Sequence, residues 1–201
     1  CEALKNWDRR DTLNSRGSAF FAQFLSYLDQ VPMTGFALTD KYWRVPFDPN
    51  DPVNTPRGFI STDETRAAFA EATIAFAQLG VKADAKLGDM QSVTREGVTY
   101  PISGSRYSYH MTRPMAYAPL TGITEIRSGD SYIHDVAIKP SGVSGRFIVT
   151  YSQSTNPKSP HFSDFTKIYS QEKFADVYFS DEQISKNQIG ETVNIVSDKK
   201  K

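Results

Sequence analysis

Several groups of side chains in this 201-residue sequence have the types and spacing to do chemistry. Cys1 is the only cysteine. An amino-terminal thiol can attack an amide with its own α-amino group as base. That arrangement needs the start of a buried strand, whereas Glu2 to Asp11 is charged and helical in character. The same residue also fits a lipid-anchored mature terminus, although Leu4 and Trp7 begin an apolar pattern with no tether before them. It equally fits one half of a disulfide to a cysteine outside this sequence. The plainest reading is a thiol at a fragment boundary. His134-Asp135 with Ser152 or Ser154 on a facing strand is a second grouping, since a hairpin can bring such residues together. Neighbours on a strand point to opposite faces, so Asp135 cannot orient the His134 ring. His161, in a Ser-Pro-His corner, reads as a hydrogen-bonding residue whose ring ties its loop to Asp164, not as a base.

Metal and cofactor chemistry find less support. His110, His134 and His161 are far apart and form no HExxH or HxxxH pattern, so no metal and no cofactor is expected. Asp48, Asn50 and Asp51 look like the start of a calcium loop. Pro49 and Pro52, and the lack of a glutamate at the twelfth position, favour a proline-fixed turn with Asx caps instead. The SGVSG run at 141–145 leads into a strand and not a helix N-terminus, which removes a phosphate cradle. No GxSxG elbow occurs. The residues themselves therefore nominate no catalytic, cofactor-binding or metal-ligating side chain.

The elements that would position such groups are those of an α+β chain. Lysine plus arginine equals aspartate plus glutamate at 23 each, so no net field draws the protein to nucleic acid or an anionic membrane. No apolar run approaches the roughly 20 residues of a membrane span. Aromatic and leucine residues from Phe20 to Leu28 recur at three- and four-residue steps, predicting a helix over 15–28 that stops before Pro32. Five prolines between 32 and 60 make an extended strap, which Phe36, Trp43, Val45, Phe47 and Phe59 give something to bury. Ser61 with Glu64 predicts a capping box opening a helix over 62–79, closed by Gly80, with an alanine-rich flank suited to a sheet. Short strands are expected around Val93, over 98–102 and over 107–110. A hairpin follows: Tyr132, His134, Val136 and Ile138 share one face, Pro140, Gly142 and Gly145 supply the turn, and residues 146–151 return. Phe147, Ile148 and Val149 are apolar on both faces, which implies cover on each side. Ser180 with Gln183 predicts a helix over 181–187, and 192–196 a last short strand. The expected organisation is one unit, 1–201: mostly helical to residue 87 with the strap at 32–60, and mostly β from 88.

Particular runs carry a family resemblance. Tyr151-Ser-Gln-Ser154, Asn156-Pro-Lys-Ser-Pro-His161 and Ser163-Asp164 stand in the order found near the C-terminus of the β chain of penicillin-acylase-type N-terminal nucleophile hydrolases. Residues 43–58, WRVPFDPNDPVNTPRG, resemble the acyl-homoserine-lactone and aculeacin acylase branch, as do Trp7-Asp8 and Asn14-Ser15-Arg16-Gly17. The resemblance implies the C-terminal portion of an αββα-type fold, with antiparallel strands and two main helices. It places the nucleophilic serine, the oxyanion-holding asparagine and the calcium ligands before the Trp-Asp motif, so no catalytic residue carries over. The implied partners are the remainder of the acylase, meaning its α chain and the N-terminal part of its β chain, and in the parent a small acyl amide substrate. A periplasmic or secreted location and inertness of this chain alone follow from the same comparison. The rival expectations are a stand-alone α+β binding or scaffold domain presenting Tyr107, Tyr109 and Tyr117, and a hydrolase acting through Cys1.

Overall fold

Thr62 shows how local sequence sets the first layer of the fold. Its hydroxyl accepts the amide N–H of Thr65, whose own hydroxyl takes the Thr62 N–H, closing a capping box at the start of helix α3, Asp63–Gln78. The sequence placed this box one residue earlier, on Ser61 and Glu64. Thr65 wins because its hydroxyl also bonds the Ile60 carbonyl and fixes the approach of the chain. Gly80, at φ +64°, ends the helix as expected. The computed structural model describes residues 2–28, 42–104, 124–127 and 129–195. Cys1, Phe36, His110, Tyr107, Tyr109, Tyr117 and the strand expected over 107–110 fall outside them.

Helix α1, Glu2–Lys5, leads to α2, Ser18–Leu28. The helix expected over 15–28 begins three residues late because Gly17 has φ +93°, a left-handed value that no α-helix contains. A methyl group there would stand 2.6 Å from the Ala3 carbonyl oxygen. Phe20, Phe24, Leu25 and Leu28 of α2 join Ala68, Ala72 and Phe76 of α3 in one buried cluster. The small alanines give the rings room, and Phe20 meets Phe69 and Phe76 edge-on at 5.3 and 5.2 Å. The alanine flank thus packs on a helix, not on a sheet.

The described part of the strap folds as a hairpin, β1 (Trp43–Val45) against β2 (Arg57–Phe59), with Trp43 and Phe59 rings 4.3 Å apart. Phe59 also reaches Phe24 at 5.3 Å, so the strap is anchored on the helical cluster. Between its strands Asp48 accepts the Asn50 N–H at 2.8 Å, and Thr55 receives the Asp48 N–H at 2.9 Å. This is the Asx-capped turn read from the prolines.

Beyond a single 3₁₀ turn at Leu87–Asp89, strand β3 (Gln91–Arg95) pairs antiparallel with β4 (Val98–Pro101) and parallel with β5 (Thr124–Glu125). The other pairings among described strands are antiparallel. Buried Gln91 donates to the carbonyls of Ile102 and Gly104, holding the outgoing chain. A second sheet orders β6 (Ile133–Lys139), β7 (Gly142–Ile148) and β8 (Ala175–Val177). Lys139 pairs with Gly142, so the turn is only Pro140-Ser141, and Gly142 and Gly145 lie inside β7. The returning strand accordingly ends at Ile148, not at residue 151. Ile148 is 0% exposed, in a second cluster with Val93, Ile102, Ile126 and Tyr169, while Phe147 and Val149 are half-buried. Open apolar surface on this sheet therefore lies elsewhere than the 147–149 run.

Helix α4, Asp164–Tyr169, was not signalled by periodicity. Helix α5, Asp181–Asn187, has the bounds and the Ser180/Gln183 capping box read from sequence. Residues 192–195 belong to no strand, contrary to expectation. Two variants test this packing by urea unfolding. Phe76→Ala should cost about 3–5 kcal/mol. Gly17→Ala should destabilise more than Gly97→Ala, because both have positive φ but only Gly17 has a backbone oxygen in the way.

Candidate functional site

The polar corner between β7 and α4 gathers the most chemistry-bearing side chains. Ser152 sits there with φ +62°, a strained value for a residue with a side chain. Its hydroxyl accepts the amide N–H groups of Phe165 at 3.0 Å and Thr166 at 3.1 Å. These are orphan donors at the start of α4, whose own N-cap, Ser163, makes no side-chain cap bond. A serine eleven positions upstream therefore caps the helix. Fully buried Thr166 returns the tie by donating to the Thr150 carbonyl at 2.9 Å.

Asp164 joins the two sides of this corner. One carboxylate oxygen lies 2.8 Å from His161 Nδ1, and the other accepts the Phe165 N–H at 2.7 Å. Burial alone would raise this carboxyl. The hydrogen bonds from His161, Phe165 N–H and Ser152, with the His161 charge, outweigh it and hold Asp164 below the usual carboxylate range. The His161 carbonyl in turn receives the N–H groups of Gln153 and Ser154. Serine, aspartate and histidine are thus together, but in the wrong order for nucleophilic catalysis. Asp164 stands between the hydroxyl and the imidazole, and the hydroxyl oxygen is occupied as an acceptor. The ring ties its loop to Asp164, which is the structural role that its Ser-Pro-His setting suggests.

The other hairpin grouping does not assemble. Asp135 turns to Arg146, with 2.8 Å between carboxylate and guanidinium, and His134 pairs across the ladder with Phe147. Ser152 and Ser154 lie past the end of β7 and are engaged in the corner.

Arg95, not singled out by the sequence, fastens the corner to the first sheet. Its guanidinium donates to the Phe162 carbonyl at 2.7 Å and lies over the Phe162 ring, 4.1 Å from the centroid. Arg95 Nε and the Tyr151 hydroxyl are buried with no hydrogen-bond partner among the described residues. Burial pushes the Tyr151 phenol up, and the Arg95 charge pulls partly against that.

A second polar centre lies at the first loop. Trp7 Nε1 donates to the Arg10 carbonyl at 2.8 Å, Asp8 accepts the Arg10 N–H and the Ser15 hydroxyl, and Ser18 donates to Asp11. Burial raises the Asp11 carboxyl and nearby Asp8 adds to this, while the Ser18 hydrogen bond opposes it. Leu87 and Gly88 donate to the carbonyls of Ser15 and Leu13, and Glu172 accepts the Leu13 N–H. Among the described residues no group of three or more histidines, cysteines or carboxylates could hold a metal ion, and no helix is long and apolar enough to cross a membrane.

The model of the penicillin amidase family matches residues 1–186. The chain belongs to that family. An acyl-homoserine lactone acylase, PvdQ, of Pseudomonas syringae pv. syringae is 33% identical over 98% of this chain and 25% of its own length. The aculeacin-A acylase of Actinoplanes utahensis is 32% identical over 92% of this chain and 22% of its own. This penicillin amidase family chain thus spans about a quarter of the curated relatives it matches. A thermostable penicillin G acylase from Alcaligenes faecalis overlays 96% of this chain and 41% of that one, with a TM-score of 0.38 and 15% identity. The α+β architecture with mainly antiparallel strands agrees with the fold class that the resemblance implied.

The 151–164 run and the Trp7-Asp8 and Ser15 positions that carry the family likeness prove to lie in corners where side chains satisfy backbone groups. Ser152→Ala should therefore cost about 1–2 kcal/mol by unfolding α4's first turn. Tyr151→Phe should be neutral or stabilising, since it removes a buried hydroxyl with no partner among the described residues. For Asp164 the folded value lies below the unfolded one of about 3.9. Its contribution is complete above that pH and disappears as pH falls through the folded value. Asp164→Asn should flatten that acid-side loss in a pH series of thermal melts.

Proposed function

We propose that this chain is the C-terminal part of the β chain of an acylase that hydrolyses linear amides, with acyl-homoserine lactones or penicillin-like acyl amides as the substrate class. The observation that carries this reading is a coverage asymmetry. Two acylases with different named substrates align with nearly all of this chain, while the chain spans only a quarter of each. On this reading residues 1–201 form a single piece of the larger fold, of N-terminal nucleophile type, and the remaining polypeptide supplies the nucleophile, the oxyanion donors and most of the acyl pocket. The parent acts in the periplasm or outside the cell.

The corner chemistry supports inertness of the piece alone. The hydroxyl, carboxylate and imidazole that come together are consumed in capping α4 and closing the 151–164 loop. Its contribution to the parent is mechanical: it completes and braces the sheet that holds the reactive centre.

The test compares the full-length gene product with residues 1–201, each incubated with a long-chain acyl-homoserine lactone with and without a thiol blocker. Turnover by the full-length protein alone is expected. Thiol-sensitive turnover by 1–201 would overturn the proposal in favour of Cys1, and inactivity of the full-length protein toward every acyl amide tried would overturn the substrate class.

A further inference from the structure

Strand pairing divides the β6–β7–β8 sheet into two unlike faces. His134 opposes Phe147, Val136 opposes Gly145, and Ile138 opposes Val143, while Gly145 and Phe147 oppose Val177 and Ala175 of β8. These residues lie on one face, together with Tyr132 just before β6. The other face begins at Ile133 and Ile148, in the buried cluster, and carries Asp135, Arg146 and Asp176 farther out. The polarity is therefore inverted toward the hairpin tip. The charged residues sit on the face already shared with the core, and the uncharged face stands open.

That open face is large and apolar. Ile138 is 82% exposed and Tyr132 55%, with Val136, Val143 and Phe179 also exposed. The edge of the Phe179 ring fills the space above Gly145, where a Cβ would come within 2.9 Å of it. Helix α5 flanks this side but buries none of its own residues, and Ile184 remains exposed. An apolar sheet face of this kind is unfavourable in open water and calls for cover.

We infer that this outer face is the surface on which the rest of the acylase polypeptide packs, through an uncharged apolar surface of its own. The inference rests on the reading of this chain as part of a longer acylase. Three quarters of the length of its relatives lies outside these residues, which provides an occupant on the same polypeptide. Among the described residues the strands carry no aspartate, glutamate, lysine or arginine on this face, where the titratable side chains are Tyr132 and His134. The Asp135–Arg146 ion pair lies on the opposite side.

The experiment is hydroxyl-radical footprinting of the full-length protein at two concentrations, reading Tyr132, Ile138, Phe147 and Phe179 against the buried Ile148. Modification of the four as slow as that of Ile148, at both concentrations, is expected. Rapid modification overturns the inference, and so does protection that appears only at the higher concentration, which would mean cover by a second copy. Ile138→Asp in the full-length protein should lower its Tm, and an unchanged Tm would also overturn the inference. Acyl amide hydrolysis is measured on the unsubstituted sample. Turnover with an unprotected face defeats this inference alone, while a protected face without turnover defeats the functional reading alone.

Discussion

The C-terminal half is organised by the burial of one strand end. Ile148, fully enclosed, is where the hairpin sheet meets the β3–β4 sheet and helix α4, and Val93, Ile102, Ile126 and Tyr169 close around it. Burying a side chain of that size contributes about 1.5–3 kcal/mol, a sizeable share of the margin by which a domain is stable. Ile148 also fixes register, because a slip by one residue would put Phe147 in its place and turn Ile148 out of the enclosed cluster. The next residues can then turn sharply, since the chain leaving a fixed point must satisfy its backbone within a few positions.

That requirement explains the polar corner. Thr150, Ser152, Asp164 and Thr166 bond backbone groups that neither sheet nor helix can serve, and Arg95 pins the far side through Phe162. Ser152 and Asp164, which look suited to chemistry in the sequence, are therefore ligands for backbone amides. The same applies to Trp7, Asp8 and Ser15 at the first loop. Residues that carry the family likeness can thus be ones that serve backbone groups of a corner.

Elements governed by local rules were legible. The bounds of α5 and the end of α3 followed from capping chemistry, and the Asp48 turn followed from its prolines. The failures share a cause in tertiary contact. Gly17 delays α2 because Ala3 lies against it, α4 takes its cap from Ser152 across a loop, and Gly145 belongs to a strand because Phe179 lies over it. Residues 192–195 alternate like a strand but pair with no strand among the described residues. For the candidate site, the His161–Asp164 bond was readable from spacing, whereas Arg95 gave no signal, since its partner carbonyl lies 67 positions away.

The Leu13 N–H bonds the Glu172 carboxylate across 159 positions. Asp11 likewise waits for the amide of Gly104, and Ser15 for that of Leu87. During synthesis on a ribosome the loop around Asp11 to Ser15 is made well before Leu87, Gly104 and Glu172, the last of these partners to emerge. The loop must therefore wait, without this tether, until Glu172 has been made, and closure of so wide a span is entropically slow. A chaperone that shields Trp7 and Phe21 during that interval would influence yield without altering the finished molecule.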